Sequence, residues 1–133
     1  MEKPWGREYV VHTESYTVKR LTMFKGFMCS VQYHPKKDET AIAFSGNINV
    51  VFLKNEVKNL PAAEVTMQVL EKYISARNVL KPGETIVIPP GVVHYMHAAG
   101  EECVYFEAST PDTETVRVFD PNAHLRKGED VAR

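Results

Sequence analysis

Short runs of Val, Ile, Thr, Tyr and Phe, cut by Gly, Pro and Asn, dominate the chain. Residues of the first kind suit a pleated, half-buried surface and those of the second mark turns, so the runs read as strands. They fall at 7–12, 16–23, 27–34, 40–45, 47–53, 84–88, 93–97, 102–108 and 115–119. Many short strands with turn signals between them predict an all-β sandwich or small barrel.

Two segments break the pattern. In 55–79, Pro61 stands where it would open a short helix, yet Val65, Met67 and Val69 alternate as they would on a strand, so a helix and an extra hairpin both stay open. Residues 121–133 are polar and lack periodicity, which predicts a tail or an arm docked on the barrel. The expected organisation is one barrel domain over 1–120, with an insertion at 55–79.

Composition narrows the class. A chain of 133 residues suits one domain, and 44% hydrophobic with 25% charged residues is ordinary for a globular protein. Sixteen basic and seventeen acidic residues leave a net charge of -1, with no cluster of the kind that neutralises phosphates, so nucleic acid is not an expected partner. Lys36 and Lys37 are followed at once by Asp38 and Glu39 and read as a solvated loop tip. Nowhere do about 18 apolar residues run together, and no signal-peptide core follows Met1; no membrane association and a cytoplasmic location are the default expectations. Cys29 and Cys103 lack CxxC spacing and read as small buried hydrophobes.

The candidate chemistry lies in two segments. In the first, Gln32 and His34 are two apart on an expected strand and leave the same face, and a turn through Pro35 to Asp38 brings Glu39 round to meet them. In the second, a strand from Gly83 stops at Pro89 and Pro90, turns at Gly91 and re-enters with His94, which a second hairpin would deliver as a fourth ligand. Imidazole, carboxylate and amide oxygen together suit one divalent Zn, Mn, Fe, Co or Ni ion. His97 is three residues beyond His94 and faces the other side of its strand, while His12 and His124 have no partner spacing. Lys19 and Arg20 alternate, so one of them points inward, where it would pair with a carboxylate or anchor a phosphate; Glu107 and Arg117 are similar candidates. Trp5 reads as an aromatic closing one end of the barrel, with stacking on a sugar as the alternative.

These segments resemble the paired cupin motifs, G-x5-HxH-x4-E-x6-G and G-x5-PxG-x2-H-x3-N, at every spacing. Gln32 replaces the first His and Ala98 the final Asn. The Gln, His, Glu, His set resembles that of the phosphomannose-isomerase branch. Lys3-Pro4-Trp5-Gly6, Tyr16 to Arg20, Phe106-Glu107 and Val116-Arg117 are similar to stretches of the cupin domain in type II mannose-6-phosphate isomerases. Pro35 and Lys36 stand where that family has a histidine-rich turn, and the insertion lengthens the gap between motifs.

The resemblance implies a double-stranded β-helix, or jelly-roll barrel, with one divalent metal on Gln32, His34, Glu39 and His94. It also implies aldose–ketose isomerisation of a sugar or sugar phosphate, with Glu107 as base and Lys19, Arg20 or Arg117 as phosphate anchors. A non-catalytic sugar- or metabolite-binding module and an iron-dependent dioxygenase are the alternatives. Paired barrels are common in cupins, so a homodimer is expected.

Overall fold

The computed structural model describes residues 1–111 and 114–125. Its strands are β1 (Glu2–Lys3), β2 (Gly6–His12), β3 (Thr17–Met23), β4 (Val31–Tyr33), β5 (Glu39–Ser45), β6 (Ile48–Leu53), β7 (Ile74–Leu80), β8 (Thr85–Ile88), β9 (Val93–His97), β10 (Cys103–Ser109) and β11 (Val116–Phe119). They form two antiparallel sheets, one of six strands in the order β1-β2-β3-β10-β5-β8 and one of five in the order β11-β4-β9-β6-β7. Apart from β1-β2-β3 and β6-β7, the neighbours in each sheet are not consecutive in sequence, so the chain crosses repeatedly between sheets, as the expected all-β jelly roll requires.

Alternation sorts the side chains. Leu21, Met23, Ala41, Ala43, Ile48, Val50, Ile88, Met96, Cys103 and Tyr105 fill the space between the sheets, closed at one end by Trp5. Each expected strand is present, but 27–34 contracts to Val31–Tyr33. Before it, the amide of Cys29 donates to the Met96 carbonyl and the Cys29 sulfur accepts from the Met96 amide, so the backbone is tied down outside a regular ladder. The turn after β5 needs Gly46, which has φ +71°; a Cβ there would stand 2.5 Å from the Glu102 carbonyl oxygen.

The insertion resolves as both of its readings in turn. Short 3-10 turns at Asn55–Asn59, Ala62–Glu64 and Glu71–Tyr73 surround a single helical turn, α1 (Met67–Leu70), capped by the Thr66 hydroxyl accepting from the Val69 amide. The chain then returns as β7 and pairs with β6. Val57, Leu70 and their neighbours Leu60, Val65, Met67 and Tyr73 pack on Val31, Val51, Leu53, Val93 and Tyr95, covering the outer face of the five-stranded sheet. At the C-terminal end Asn122 is buried and its amide donates to the Met28 carbonyl at 2.6 Å, so the start of the polar segment docks as an arm. The rest of the expected tail, 126–133, lies outside the described residues.

Candidate metal centre

The two motifs meet because β4 and β9 are neighbours. Gln32 stands directly opposite His94 across that pair, and opposite Arg117 on β11. His34 follows β4 and Glu39 opens β5 in the facing sheet, so a sharp turn carries the chain from one sheet to the other between two candidate ligands.

His34, Glu39 and His94 are all buried, and one ligand atom from each lies within 4.8 Å of the others. The Glu39 Oε1 atom is 3.4 Å from His94 Nε2 and 3.6 Å from His34 Nε2. Neither Glu39 oxygen has a hydrogen bond among the described residues. A buried carboxylate without a donor is costly and calls for a cation. Ligands held about 2.0–2.2 Å from one ion stand roughly 3.0–3.6 Å apart, so the spacing fits a coordination shell. The outer nitrogens fit as well: His94 Nδ1 is 2.9 Å from the Val92 carbonyl, and His34 Nδ1 is 3.0 Å from the Thr115 hydroxyl. With Nδ1 protonated and donating, each Nε2 presents its lone pair to the cluster.

Gln32 joins this group with its amide nitrogen 3.4 Å from His34 Nε2, while its Oε1 accepts from the Ser30 hydroxyl at 2.6 Å. A half-turn of the amide exchanges these roles, directs the oxygen at the cluster and lets the nitrogen donate to Ser30.

Beside the cluster a cavity of about 120 Å³ is lined by Lys19, Lys37, Tyr105, Glu107 and Arg117, with Trp5 among its wall residues. Lys19 is thus the inward member of its pair. Arg20 lies on the opposite face of β3 with its guanidinium 4.5 Å from the Tyr9 ring, which removes it from the pocket because successive strand residues face opposite sides.

Lys37 corrects the sequence reading. It is 3% exposed, not a solvated tip, and its Nζ lies 3.7 Å from Glu39 Oε2. Charge type argued for solvent; the buried carboxylate two residues on was the signal that a cation would turn inward.

The electrostatics follow from this crowding. Burial pushes the Glu39 carboxyl up, but contact with His94 and the charges of Lys37 and His34 outweigh it and hold the group below its ordinary range. Glu107 goes the other way: burial, reinforced by the charge of Glu39, raises it to about 7 against the pull of Lys19, Lys37 and His94. Burial likewise raises the Tyr105 hydroxyl well above its usual value.

Comparison with known proteins agrees with the fold. A family model described as Cupin matches residues 7–128. The chain is 29% identical over 121 residues to a D-lyxose ketol-isomerase of Thermofilum sp. (strain ex4484_79), covering 84% of this chain and 66% of that one. It is 32% identical over 123 residues to the D-lyxose ketol-isomerase of Cohnella laeviribosi, covering 84% and 65%. The chain therefore spans just under two thirds of the length of these relatives. Among solved structures, Bacillus subtilis oxalate decarboxylase, a protein with Mn(II) centres, superimposes with a TM-score of 0.67 at 18% identity, covering 98% of this chain and 35% of that one. Among the described residues no helix is long and apolar enough to cross a membrane.

Proposed function

The chain belongs to the cupin family, and from that premise we propose that it is a divalent-metal-dependent aldose–ketose isomerase acting on a small sugar or sugar phosphate. The observation that carries this reading is a buried carboxylate without a hydrogen-bond donor, Glu39, beside a pocket whose other carboxyl, Glu107, is held near neutrality. The activity of the two D-lyxose ketol-isomerases supports it.

Gln32, His34, Glu39 and His94 would hold the ion, Gln32 through its amide oxygen. Bound there, the metal would supply Lewis acidity toward the carbonyl oxygen and the neighbouring hydroxyl of the sugar. Glu107, whose carboxyl is raised by burial to about 7 in the metal-free chain, takes the proton from one of the two carbons and returns it to the other. Lys37 offers a charged donor to the oxygen on which negative charge develops. Lys19 and Arg117 line the same cavity and bind the far end of the substrate, hydroxyl or phosphate. Tyr105, kept protonated by burial, adds a neutral donor.

Proton transfer through an enediol makes the transferred hydrogen exchangeable. Metal-loaded protein incubated in heavy water with D-lyxose, D-mannose and their terminal phosphates should place deuterium at C2 of the aldose or C1 of the ketose, and metal removal should stop it. A fully metallated protein that leaves the panel unlabelled overturns the isomerase reading. Metal content then separates the alternatives: iron with oxygen consumption indicates a dioxygenase, and an inert site indicates a binding module.

A further inference from the structure

Strand β2 inverts the usual pattern of a sheet. Glu8 points inward and is 8% exposed, while Tyr9 and Val11, 53% and 64% exposed, stand on the bare outer face of the six-stranded sheet. Charge inside and apolar side chains outside cost stability, so a carboxylate in that place needs another reason. Its backbone is fixed. The Glu8 amide donates to the Met1 carbonyl at 2.9 Å, and the Met1 ammonium donates to the Glu8 carbonyl at 2.8 Å. Two residues earlier Gly6 brings β2 hard against β3, where a Cβ would collide with the Thr22 carbonyl. The Glu8 carboxylate, among the described residues, has neither a hydrogen bond nor an ion pair, and it lines the same cavity as Gln32 and His34.

Register places it. One inner row runs Glu8, Leu21, Tyr105 and Ala43 across β2, β3, β10 and β5, and Ala43 lies four residues beyond Glu39 on β5. Glu8 is therefore three strands and four residues from Glu39, about 14 Å in each direction before the sheet curls. Glu107 stands between them, two residues beyond Tyr105 on β10. Metal ligands, carboxyl base and Glu8 thus follow one another along the inner face.

We infer that Glu8 is a specificity-determining residue: its carboxylate accepts hydrogen bonds from substrate hydroxyl groups at the end of the cavity remote from the metal ligands, and turns away a phosphate there. The inference rests on the isomerase reading for which end of the sugar reacts. A carboxylate offers only acceptors, so it takes hydroxyl protons and repels a dianion that has none to give. The cations that line the cavity do not reverse this. Lys37 has Glu39 at 3.7 Å, Arg117 has Asp120 at 3.8 Å, and Lys19 stands directly opposite Glu107 across β3 and β10. Lys3, opposite Gly6 on β1, lines the cavity as well and offers a donor to hydroxyl oxygens. A buried acceptor left without hydroxyls is an uncompensated cost, so the site rejects a ligand that lacks them.

D-mannitol and D-mannitol 1-phosphate test this, because neither has a carbonyl and neither can isomerise. Titration calorimetry on the metal-loaded full chain should show mannitol binding at least tenfold more tightly than its phosphate. Glu8→Gln removes the charge at nearly constant shape and should cut that ratio at least tenfold, with metal content and circular dichroism unchanged. Glu8→Asp keeps the charge but withdraws it by one carbon, so it should still reject the phosphate while binding mannitol more weakly; it carries the test if Glu8→Gln fails to fold. A wild type that binds the phosphate as tightly as mannitol, or a folded Glu8→Gln with an unchanged ratio, overturns the inference. Deuterium exchange fails separately: a mannitol preference set by Glu8 in a protein that labels no sugar removes the isomerase reading and keeps Glu8 as a hydroxyl-binding residue.

Discussion

The amide of Gly91 donates to the carbonyl oxygen of His34 at 2.8 Å. The turn that launches His94 is thereby tied to the end of the segment that presents His34. That link means the candidate metal ligands are held by backbone hydrogen bonds before any ion arrives.

The metal prediction follows. Replacing His34 and His94 together by Ala should abolish stoichiometric metal uptake, measured by elemental analysis after dialysis, with the strand signal in circular dichroism intact. In the wild type, metal at a hundred times its Kd should add about 2.7 kcal/mol to folding stability, read from the shift in thermal midpoint. A double variant that keeps its metal would remove His34 and His94 from the ligand set.

Gln32 should bind through oxygen, with its nitrogen turned to Ser30. Gln32→His would substitute imidazole for the weaker amide and should tighten binding of Zn, Co and Ni in competition titrations. Ser30→Ala removes the partner 2.6 Å away and should loosen metal binding more modestly, because the amide is then free to rotate. Equal affinity for all three proteins would mean that Gln32 stays out of the coordination shell.

Glu107 gives a pH prediction with two readouts. If it is the base, deuterium exchange should rise with pH as its carboxyl ionises and be lost in Glu107→Gln, which keeps its metal. For folding of the metal-free protein, the folded carboxyl is raised from an ordinary 4.5, so its favourable contribution is present below 4.5 and is lost as pH climbs to about 7. Glu107→Gln should therefore be more stable relative to wild type at pH 8 than at pH 4. A chemical-denaturation difference that does not change with pH would remove the perturbed carboxyl from the account.

Leu70 tests the insertion. It is the fully buried last residue of α1, in the layer covering the five-stranded sheet, so Leu70→Ala should cost about 2–5 kcal/mol in denaturant unfolding. Metal content should be unchanged, since Leu70 belongs to the layer outside the barrel. A loss below about 0.5 kcal/mol would mean the insertion is not part of the cooperative fold.

Local rules were enough to read the strands and the candidate ligands from the sequence. Alternation with a period of two puts Gln32 and His34 on one face whatever they pair with, and a Pro-rich stop followed by Gly91 delivers His94 at a strand start. Tertiary pairing decided the rest. Only the approach of the second sheet fixed Lys19 as inward and Arg20 as outward, because alternation sets their difference and not their sign. Only the enclosure of Glu39 turned Lys37 from solvent into a buried ion pair. The role of 55–79 was not legible because β7 finds β6 across the intervening chain 54–73, and the apolar residues between them match a surface that exists only once the five-stranded sheet has formed. The bare outer face of the other sheet is hidden in the sequence for the same reason: Tyr9, Val18, Ile42 and Phe106 become one surface only when β2, β3, β5 and β10 lie side by side.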